Sequence, residues 1–494
     1  MSPPGLTLAA AAAPLVVVLV AMLWRGWPAL RAGALALLVA LVVAAARFGW
    51  GSADDALGVL AESLFLTATI VWILLPALAL HHLQERSGAH EALKLGLTQL
   101  TRDRATQVLI LGWFLALFFE GAAGFGTPVA LTAPLLVTLG LPAVRALAIS
   151  LVGHCLGVAF GALATPLLTQ ATLTGVSPEA LAWRTALLLA AVGPLVLVTW
   201  RLLCPVGPLR PPMRMTALAL VAFLGPCAAI ATFVGPELAT LGGALLGLVL
   251  FMLVGRRGRP SAEPRPSLKA VLWPFAVLVA LVLVTRLVPP VSLALKALTM
   301  DWSLVDGRYH GSVALLLHPG TLLLLAFVVG GPLGGAQPSS LAEALGVASR
   351  RLAPVAASMV VMLGLSRLML HAGLLEALEA GAVASVGRLW PAVAPSVGAV
   401  GSFVTGSATA SNVLFGALQA ETARTLGLSP EWVGAAQNVG AALGNVISPQ
   451  NVIAGAVTVG ATGDEGAVLR LTIPICLATL LLAGLVTAIA TQPG

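Results

Sequence analysis

Apolar segments of about twenty residues recur along nearly the whole chain, and short loops between them hold most of the charges. A segment of this length crosses the roughly 30 Å hydrocarbon core of a bilayer as a helix. Hydrophobic residues make up 59% of the 494 residues and charged residues 9%, which excludes an ordinary water-soluble domain. The short alternating segments of a membrane barrel are absent. The pattern predicts an all-α polytopic membrane protein with about 12–14 transmembrane helices.

The basic loops predict an orientation, because cytoplasmic loops carry an excess of Lys and Arg. We expect the basic stretches in the cytoplasm, and these are 25–31, 86–104, 201–214 and 256–269. The Asp54-Asp55 turn and the polar stretch 289–310 then lie outside, and residues 106–140 dip into the membrane and return as a hairpin. These loops account for the net charge of +7, so the charge predicts no nucleic-acid partner.

The same loops divide the chain into two membrane halves. Residues 1–254 form the N-terminal half, residues 255–269 a basic cytoplasmic linker and residues 270–494 the C-terminal half. Each half is expected to contain one broken-helix repeat, at 106–169 and at 399–456. The four cysteines lie in or beside apolar runs without metal or disulfide spacing, and neither a metal nor a cofactor is expected.

A carboxylate and a Gly/Pro break interrupt the apolar run that begins near Val108. The interruption reads Glu120-Gly-Ala-Ala-Gly-Phe-Gly-Thr-Pro128. A carboxylate at the centre of a spanning helix costs roughly 2.5–3.5 kcal/mol, so its default interpretation is a functional site. Irregular backbone at that depth is tolerated inside protein or beside a water-filled cavity, where its polar groups are available to a ligand. The break therefore predicts a binding site.

A second broken segment in the C-terminal half repeats the first. Leu156-Gly-Val-Ala-Phe-Gly-Ala-Leu-Ala-Thr-Pro166 aligns without gaps on Val439-Gly-Ala-Ala-Leu-Gly-Asn-Val-Ile-Ser-Pro449. Upstream, Gly124-Phe-Gly-Thr127 corresponds to Gly406-Ser-Ala-Thr409, and Leu-Gly-Leu follows both. Paired interruptions of this kind predict a substrate site at the interface of two repeats. The alternative is that the small residues only allow helices to approach closely.

The residues around the breaks are the candidate binding groups. Helix restarts after Gly126 and Gly406 would present free amides and the positive end of a helix dipole to an anion. The candidates are Gly124, Gly126 and Thr127 at the first break, Gly406, Ser407, Thr409, Ser411 and Asn412 at the second, and Asn438, Ser448 and Gln450 around the later one. Capping of their own helix start is the competing role for Ser407 and Thr409.

Two ionisable residues are candidates for proton coupling. Glu120 is the carboxylate beside the first break, and burial disfavours its charged form. His154 belongs to the residue type that titrates near neutral pH, although a histidine in an apolar helix is more often held by a neighbouring carbonyl. Arg367 and His371 lie on one helix face, either as a cationic patch at the site or snorkelling outward. Glu62 lies near the external end of its span, where water would satisfy it.

Six motifs, in this order and over nearly the whole chain, resemble the bacterial L-lactate permease family. They are Glu120-Gly-Ala-Ala-Gly-Phe-Gly-Thr-Pro-Val-Ala130, Val158-Ala-Phe-Gly161, Phe233-Val-Gly-Pro-Glu-Leu238, Phe403-Val-Thr-Gly-Ser407, Ser411-Asn-Val-Leu-Phe415 and Ile447-Ser-Pro-Gln450. The resemblance implies a secondary transporter, not an enzyme, that imports L-lactate or a related 2-hydroxy monocarboxylate such as glycolate. It also implies proton symport through the bacterial cytoplasmic membrane. The sequence contains no Walker-type phosphate loop.

The chain departs from the pattern of the family it resembles. Ala408 and Asn445 stand where that family usually has Asp and Lys, and His154-Cys-Leu-Gly157 replaces Asn-Thr-x-Pro. A transporter of another small organic anion, driven by sodium, is therefore the alternative; a membrane enzyme or receptor ranks third. The expected partners are the anion, the coupling ion and the lipid bilayer. The oligomeric state stays open, a homo-oligomer included.

Overall fold

The computed structural model describes residues 4–25, 27–124, 127–255 and 267–491. Within these ranges the chain is almost entirely helical, and eight helices are long and apolar enough to cross a membrane. Up to ten spans result if each of two bent helix pairs counts as one. The predicted all-α polytopic class is confirmed. The number of spans differs from the about 12–14 expected from hydropathy, because several apolar segments form helices of 10–17 residues.

The N-terminal half consists of twelve α-helices within the described residues, and a π-helical turn at Ile110–Leu115 and a 3-10 turn at Pro236–Leu238 join some of them. The helices are α1 (Pro4–Leu23), α2 (Ala29–Phe48), α3 (Ala53–Arg86), α4 (Ala89–Thr98), α5 (Arg104–Leu109), α6 (Ala116–Ala122), α7 (Thr127–Thr138), α8 (Ala143–Val158), α9 (Gly161–Thr174), α10 (Pro178–Leu203), α11 (Met213–Phe233) and α12 (Ala239–Val254). Residues 256–266, most of the expected basic linker, lie outside the described residues.

The C-terminal half continues with helices and one antiparallel strand pair. Its elements are α13 (Lys269–Leu287), α14 (Pro289–Lys296), β1 (Thr299–Leu304), β2 (Tyr309–Ala314), α15 (Pro319–Leu333), α16 (Pro338–His371), α17 (Leu374–Ser385), the 3-10 turn Gly387–Leu389, α18 (Trp390–Thr405), α19 (Ala408–Thr425), α20 (Pro430–Asn445), α21 (Pro449–Val459) and α22 (Glu465–Ala490). β1 lies in the polar stretch 289–310 expected outside the membrane, β2 begins at the end of this stretch, and neither strand was expected from the sequence.

The segment from α5 to α7 forms a helical hairpin, which we call hairpin 1. Its turn contains Gly124, whose φ of 59° is a left-handed conformation that glycine adopts without strain. The two arms run antiparallel, since a Cβ atom added at Gly112 would lie 3.4 Å from Leu136 Cδ1 across the hairpin. The first arm is Arg104–Ala122, and 94% of its most apolar stretch of 18 residues is buried inside the protein. Protein rather than lipid therefore surrounds this arm.

Helices α18 and α19 form the corresponding hairpin 2, with Gly406 (φ 72°) at the turn. Contacts between the arms again fit an antiparallel pair. Ser411 donates a hydrogen bond of 2.7 Å to the Gly398 carbonyl, and Gln419 donates one of 3.0 Å to the Ala394 carbonyl. The local sequence predicts a turn at Gly124 and at Gly406, because glycine readily adopts the positive φ that ends a helix.

A broken helix follows each hairpin. Helices α8 and α9 bend by 48° at their junction, and α20 and α21 are separated by residues 446–448. Both breaks fall within the two segments that align in the sequence. The first break contains three successive residues in the left-handed region, Ala162, Leu163 and Ala164, with φ of 42°, 55° and 61°. This turn was not expected, since the left-handed region costs roughly 1–2 kcal/mol per residue for residues other than glycine.

Two ion pairs connect α3 to other segments, and the first joins the Asp54-Asp55 turn to the stretch 289–310, both of which were predicted to lie outside. Arg308 Nη1 lies 2.8 Å from Asp55 Oδ1 near the start of α3. Arg86, at the end of α3, pairs with Glu343 on α16. The two pairs lie at opposite ends of the 34-residue helix α3. The orientation of these loops relative to a membrane stays a prediction.

Candidate functional site

The tips of the two hairpins and the two helix breaks meet around a cavity of about 50 Å³, which we call the inner cavity. Both halves of the chain contribute to its wall. The described lining residues are Glu120, Gly124, Val158, Gly161, Ala162, Pro166, Gly406, Ser407, Ala408, Thr409, Asn445 and Asn451. The paired breaks that the sequence singles out are therefore neighbours in space.

A larger cavity of about 340 Å³ adjoins the inner one at Gly406, Ser407, Thr409 and Asn451, and we call it the outer cavity. Its remaining wall comes mainly from helices outside the repeats. The described residues that line the outer cavity alone are Leu74, Val355, Ser358, Met359, Met362, Thr405, Ala410, Val413 and Gln450. The tip of hairpin 2 thus separates a small polar space from a larger one.

Glu120 is buried in hairpin 1 and faces the broken helix of its own repeat. A Cβ atom on Gly161 would lie 2.1 Å from Glu120 Oε1, and one on Gly157 would lie 3.4 Å from its Cγ. Gly161 therefore leaves the space that the glutamate side chain occupies, whereas Gly157 leaves space mainly for Thr240 and Leu117. Gly161 thus makes room for a side chain at the candidate proton site.

His154 lies on α8 close to this carboxyl. Its Nδ1 is 2.8 Å from the Ser150 carbonyl, which only accepts, so Nδ1 carries a proton. Its Nε2 is 4.0 Å from Glu120 Oε2. Protonation changes would thus occur at Nε2, the atom that faces Glu120. His154 thus makes the contact with a neighbouring carbonyl that was the alternative role, and it also lies close to Glu120, the proposed coupling residue.

The first hairpin turn is described only in part. Gly124 lines the inner cavity, and α7 begins at Thr127. Gly126 lies outside the described residues, as does the side chain of Thr127. The expected contribution of these two residues stays a prediction.

At the second turn the predicted residues lie together at the cavity. Gly406, Ser407 and Thr409 line both cavities, and α19 starts at Ala408. The N-terminal turn of a helix of 18 residues therefore borders the inner cavity, where its dipole favours an anion. Ser407 Oγ also accepts a 3.3 Å hydrogen bond from the Ala410 amide. Ser407 caps its own helix while it lines the cavities.

Three predicted residues lie beside the site rather than in the cavity wall. Asn412 donates 3.0 Å hydrogen bonds to the Pro166 carbonyl and to Asn438 Oδ1. Asn438 donates one of 3.1 Å to the Ala159 carbonyl. The two asparagines thus tie the second repeat to the backbone of the first break. Ser411 is engaged within hairpin 2 by its bond to Gly398.

Ser448 and Gln450 belong to the second break. Ser448 is the N-cap residue of α21, and its buried Oγ has no hydrogen-bond partner in the described structure. Gln450 is exposed and lines the outer cavity next to Gly406. Asn451 donates a hydrogen bond of 2.9 Å to Asn445 Oδ1, and Asn445 donates one of 3.3 Å to the Gly406 carbonyl. The break is therefore joined to the tip of hairpin 2.

Glu120 is the one ionisable residue among the described residues that line the two cavities. Ala408 and Asn445, which replace charged residues of the family pattern, border the same inner cavity. No group of three or more His, Cys, Asp or Glu residues close enough to hold a metal ion occurs in the described part of the chain. Hydrogen bonding, the helix end and a single carboxyl are the chemistry that the site offers to a small anion.

A separate cluster of charged residues lies away from the cavities. His371 Nε2 donates a 2.8 Å hydrogen bond to Glu62 Oε2, and buried Arg367 donates one of 3.2 Å to the Leu173 carbonyl at the end of α9. Neither Arg367 nor His371 lines the inner or the outer cavity, and neither is exposed. Tyr309 outside the spans donates to Asp55, and burial together with this bond raises the pKa of Tyr309, which keeps the hydroxyl protonated.

Several lining residues were not found by sequence reasoning. Leu74, Met359 and Met362 border the outer cavity, but in the sequence they are ordinary members of apolar helices. The three-residue spacing of the two methionines on α16 places them on one face, and nothing local indicates what this face contacts.

A sequence profile described as L-lactate permease matches residues 7–305 and 305–492. An L-lactate permease of Streptococcus iniae is 30% identical over 383 residues, covering 74% of this chain and 80% of that protein. The glycolate permease GlcA of Escherichia coli strain K12 is 28% identical over 483 residues, covering 85% and 84%.

One solved structure shares the fold. MtrF from Neisseria gonorrhoeae, a representative of a class of antimetabolite efflux pumps, superimposes with a TM-score of 0.52 at 15% identity. The match covers 94% of this chain and 95% of MtrF.

Proposed function

The chain belongs to the L-lactate permease family, and we propose that it is a secondary active transporter that imports L-lactate or a related 2-hydroxy monocarboxylate such as glycolate. The relatives that support this substrate class are named for L-lactate and for glycolate. The proposed location is the bacterial cytoplasmic membrane, since the chain is a multi-span membrane protein of a permease family.

One observation carries the proposal: the inner cavity lies between two helix-hairpin tips and two helix breaks, one of each from each half. Transporters of several folds place the substrate at such an interface of repeats, where helix ends and unwound backbone supply the ligands. The N-terminal turn of α19 and Ser407 and Thr409 suit a carboxylate and a 2-hydroxyl group. No chemical reaction is part of the proposed activity.

The charge of the inner cavity supports the proposal of proton symport. An anionic substrate and an ionised Glu120 would lie within a few ångströms of each other, with no cation among the described lining residues. Two like charges 4 Å apart repel by about 4 kcal/mol at an effective dielectric constant of 20. Binding of the anion therefore favours protonated Glu120, and release of the anion favours its ionisation. His154 is the second ionisable group beside the inner cavity, with its Nε2 4.0 Å from Glu120 Oε2.

A transporter of another small organic anion, driven by sodium, is the second candidate. The observation that favours it is the neutral pair Ala408 and Asn445 in the wall of the inner cavity. The carbonyl of Gly406 and the amide oxygen of Asn445 are oxygen atoms of the kind that hard cations accept as ligands.

The deciding experiment is uptake of labelled L-lactate and glycolate into proteoliposomes that contain the purified protein. We expect accumulation with an imposed inward proton gradient and its loss with a protonophore, while a sodium gradient at equal pH has no effect. Accumulation with sodium alone would favour the second candidate. If neither labelled acid exchanges across the membrane under any gradient, the proposed substrate class is wrong.

A further inference from the structure

The outer cavity has two walls of different chemistry. One wall is the tip of hairpin 2 together with the start of α21, and it presents Thr405, Ser407, Thr409, Gln450 and Asn451. The other wall is mainly apolar and comes from α3 and α16, with Val413 of α19 beside it. Its apolar members are Leu74, Val355, Met359, Met362 and Val413. Ser358 is the polar residue of this wall, and its hydroxyl donates to the Pro354 carbonyl of its own helix. A molecule that occupies both cavities would meet polar groups at one end and apolar groups at the other.

The outer cavity is larger than the side chain of a small hydroxy acid such as lactate requires. The inner cavity, with about 50 Å³, has room for little more than one small polar group. The outer cavity, with about 340 Å³, exceeds the roughly 150 Å³ of an apolar protein cavity that binds benzene. The side chain of lactate is a single methyl group, and that of glycolate is a hydrogen atom. Neither would fill the apolar part of the outer cavity.

We propose that this transporter binds 2-hydroxy monocarboxylates with apolar side chains larger than methyl, and that Met359 on α16 sets the upper limit of side-chain size. The inference rests on the proposed function and adds the substrate class within it. The carboxylate and the 2-hydroxyl group lie at the tip of hairpin 2. The side chain extends into the outer cavity toward Leu74, Met359 and Met362.

The apolar wall is suited to side chains of different shapes. Met362 is buried and belongs to the same apolar cluster as Leu74 and Val413, and Met359 packs partly buried against this cluster. Methionine is unbranched and flexible, so it fills gaps around ligands of irregular shape. Each methylene group that a ligand buries here strengthens binding about fourfold, the equivalent of roughly 0.8 kcal/mol. Longer acids are therefore expected to bind more tightly until the cavity is full.

The competing explanation is that the outer cavity is a water-filled passage to the inner one. A passage makes no lasting contact with the substrate side chain, so it gives no gain in affinity with chain length. The two explanations differ in how the apparent affinity changes along a series of acids.

The test measures how unlabelled glycolate, L-lactate, 2-hydroxybutyrate and 2-hydroxyisocaproate inhibit uptake of labelled glycolate into proteoliposomes. From lactate to 2-hydroxyisocaproate we expect the inhibition constant to fall on the order of tenfold or more, because three further carbon atoms are buried. Met359→Trp narrows the outer cavity. It is expected to raise the inhibition constant of 2-hydroxyisocaproate about tenfold, while that of glycolate changes less than about twofold. Met359→Ala should favour the longer acid.

Ala357→Trp is the matched control, because Ala357 lies exposed on the same helix and does not line the cavity. It should leave the ratio of the two inhibition constants unchanged. The ratio does not depend on the amount of folded protein, so a lower yield does not affect the result. Equal inhibition by all four acids, or an equal effect of Met359→Trp on the shortest and longest, would overturn the inference while glycolate uptake upholds the proposed function. Absence of any uptake would overturn both.

Discussion

Hairpin 1 and hairpin 2 have the same antiparallel geometry, but different interactions stabilise them. Aromatic rings surround the first arm of hairpin 1: Trp113 contacts Trp200 and Phe223 edge to face, and Phe114 lies 5.2 Å from Phe251. Hydrogen-bonded amides connect hairpin 2 to α20. Trp390 donates to Gln419, Gln419 donates to Gln437 at 2.9 Å, and Gln437 donates to Ser411 Oγ at 3.1 Å.

This difference matches the groups that each hairpin contributes to the cavity. Hairpin 1 brings Glu120, a buried ionisable group that lines the inner cavity. Hairpin 2 brings neutral hydrogen-bonding groups and a helix end that keep one charge state at all pH values. The comparison suggests that one repeat carries the coupling proton and the other holds the anion.

The glycines of the two helix breaks also differ in what they contact. Gly161 makes room for the flexible Glu120 side chain. Gly444, its counterpart in the alignment, makes room for backbone, since a Cβ atom there would lie 2.4 Å from the Ala399 carbonyl oxygen. A shared sequence motif therefore serves side-chain placement in one repeat and helix packing in the other.

The largest expected effect is that of Glu120→Gln. If Glu120 carries the coupled proton, the neutral amide cannot release one, and accumulation driven by a proton gradient should be abolished. Exchange of internal for external substrate should remain, because the anion site of hairpin 2 is intact. Transport assays in proteoliposomes measure both quantities. Glu376→Gln, on an exposed helix position, is the control and should behave as the parent. Unchanged accumulation by Glu120→Gln would remove this residue from the coupling role.

The substitutions Gly444→Ala and Gly161→Ala test helix packing and placement of the Glu120 side chain separately. At Gly444 the clash is with backbone of α18, and we expect a loss of stability of about 1–3 kcal/mol or more. At Gly161 the added atom meets the end of a flexible side chain, so the fold should persist while the displaced carboxyl impairs accumulation. Thermal unfolding in detergent and uptake per folded protein give the two readouts. Equal losses of stability in the two variants would contradict the proposed difference between the glycines.

The neutral pair Ala408 and Asn445 gives the third prediction. Both residues border the inner cavity, so Ala408→Asp or Asn445→Lys alone should add a buried charge there without the partner that the family pattern supplies and cost about 3–5 kcal/mol. The double substitution should recover much of this loss in folded yield and uptake, since the charges would pair across the cavity.

A double-mutant cycle on thermal stability and transport measures the coupling between the two positions. Additive penalties would show that the residues do not pair. The change from the family pattern would then be a change in substrate preference at two independent positions.

The smallest expected effect compares two amides of hairpin 2. Asn412→Leu removes the bonds to Pro166 and Asn438, whereas Gln419→Leu removes bonds within the second repeat. Each should cost about 1–3 kcal/mol, because buried polar partners are left without a hydrogen bond. Only Asn412→Leu loosens the break that lies beside Glu120, so it should also change the apparent affinity for substrate. A similar change in Gln419→Leu would assign the effect to general loosening of hairpin 2.

The sequence by itself determined the membrane class and the positions of the helix breaks, because both depend on local properties of the chain. Apolar length predicts a span, and Gly406 and Gly124 mark turns because positive φ favours glycine. The aligned breaks also predicted that Glu120 and Ser407 belong to one site, since paired interruptions meet at the interface of repeats.

The tertiary structure decided what the local pattern does not contain, because the contacts join residues far apart in the chain. Met359 lines the cavity only because α16 packs beside the tip of hairpin 2. Glu62 is buried rather than solvated because His371 reaches it across 309 positions of sequence. Asn412 supports the first break instead of the cavity, since its partners Pro166 and Asn438 come from both repeats. Hydropathy describes one helix at a time, and the wall of a site is made by several.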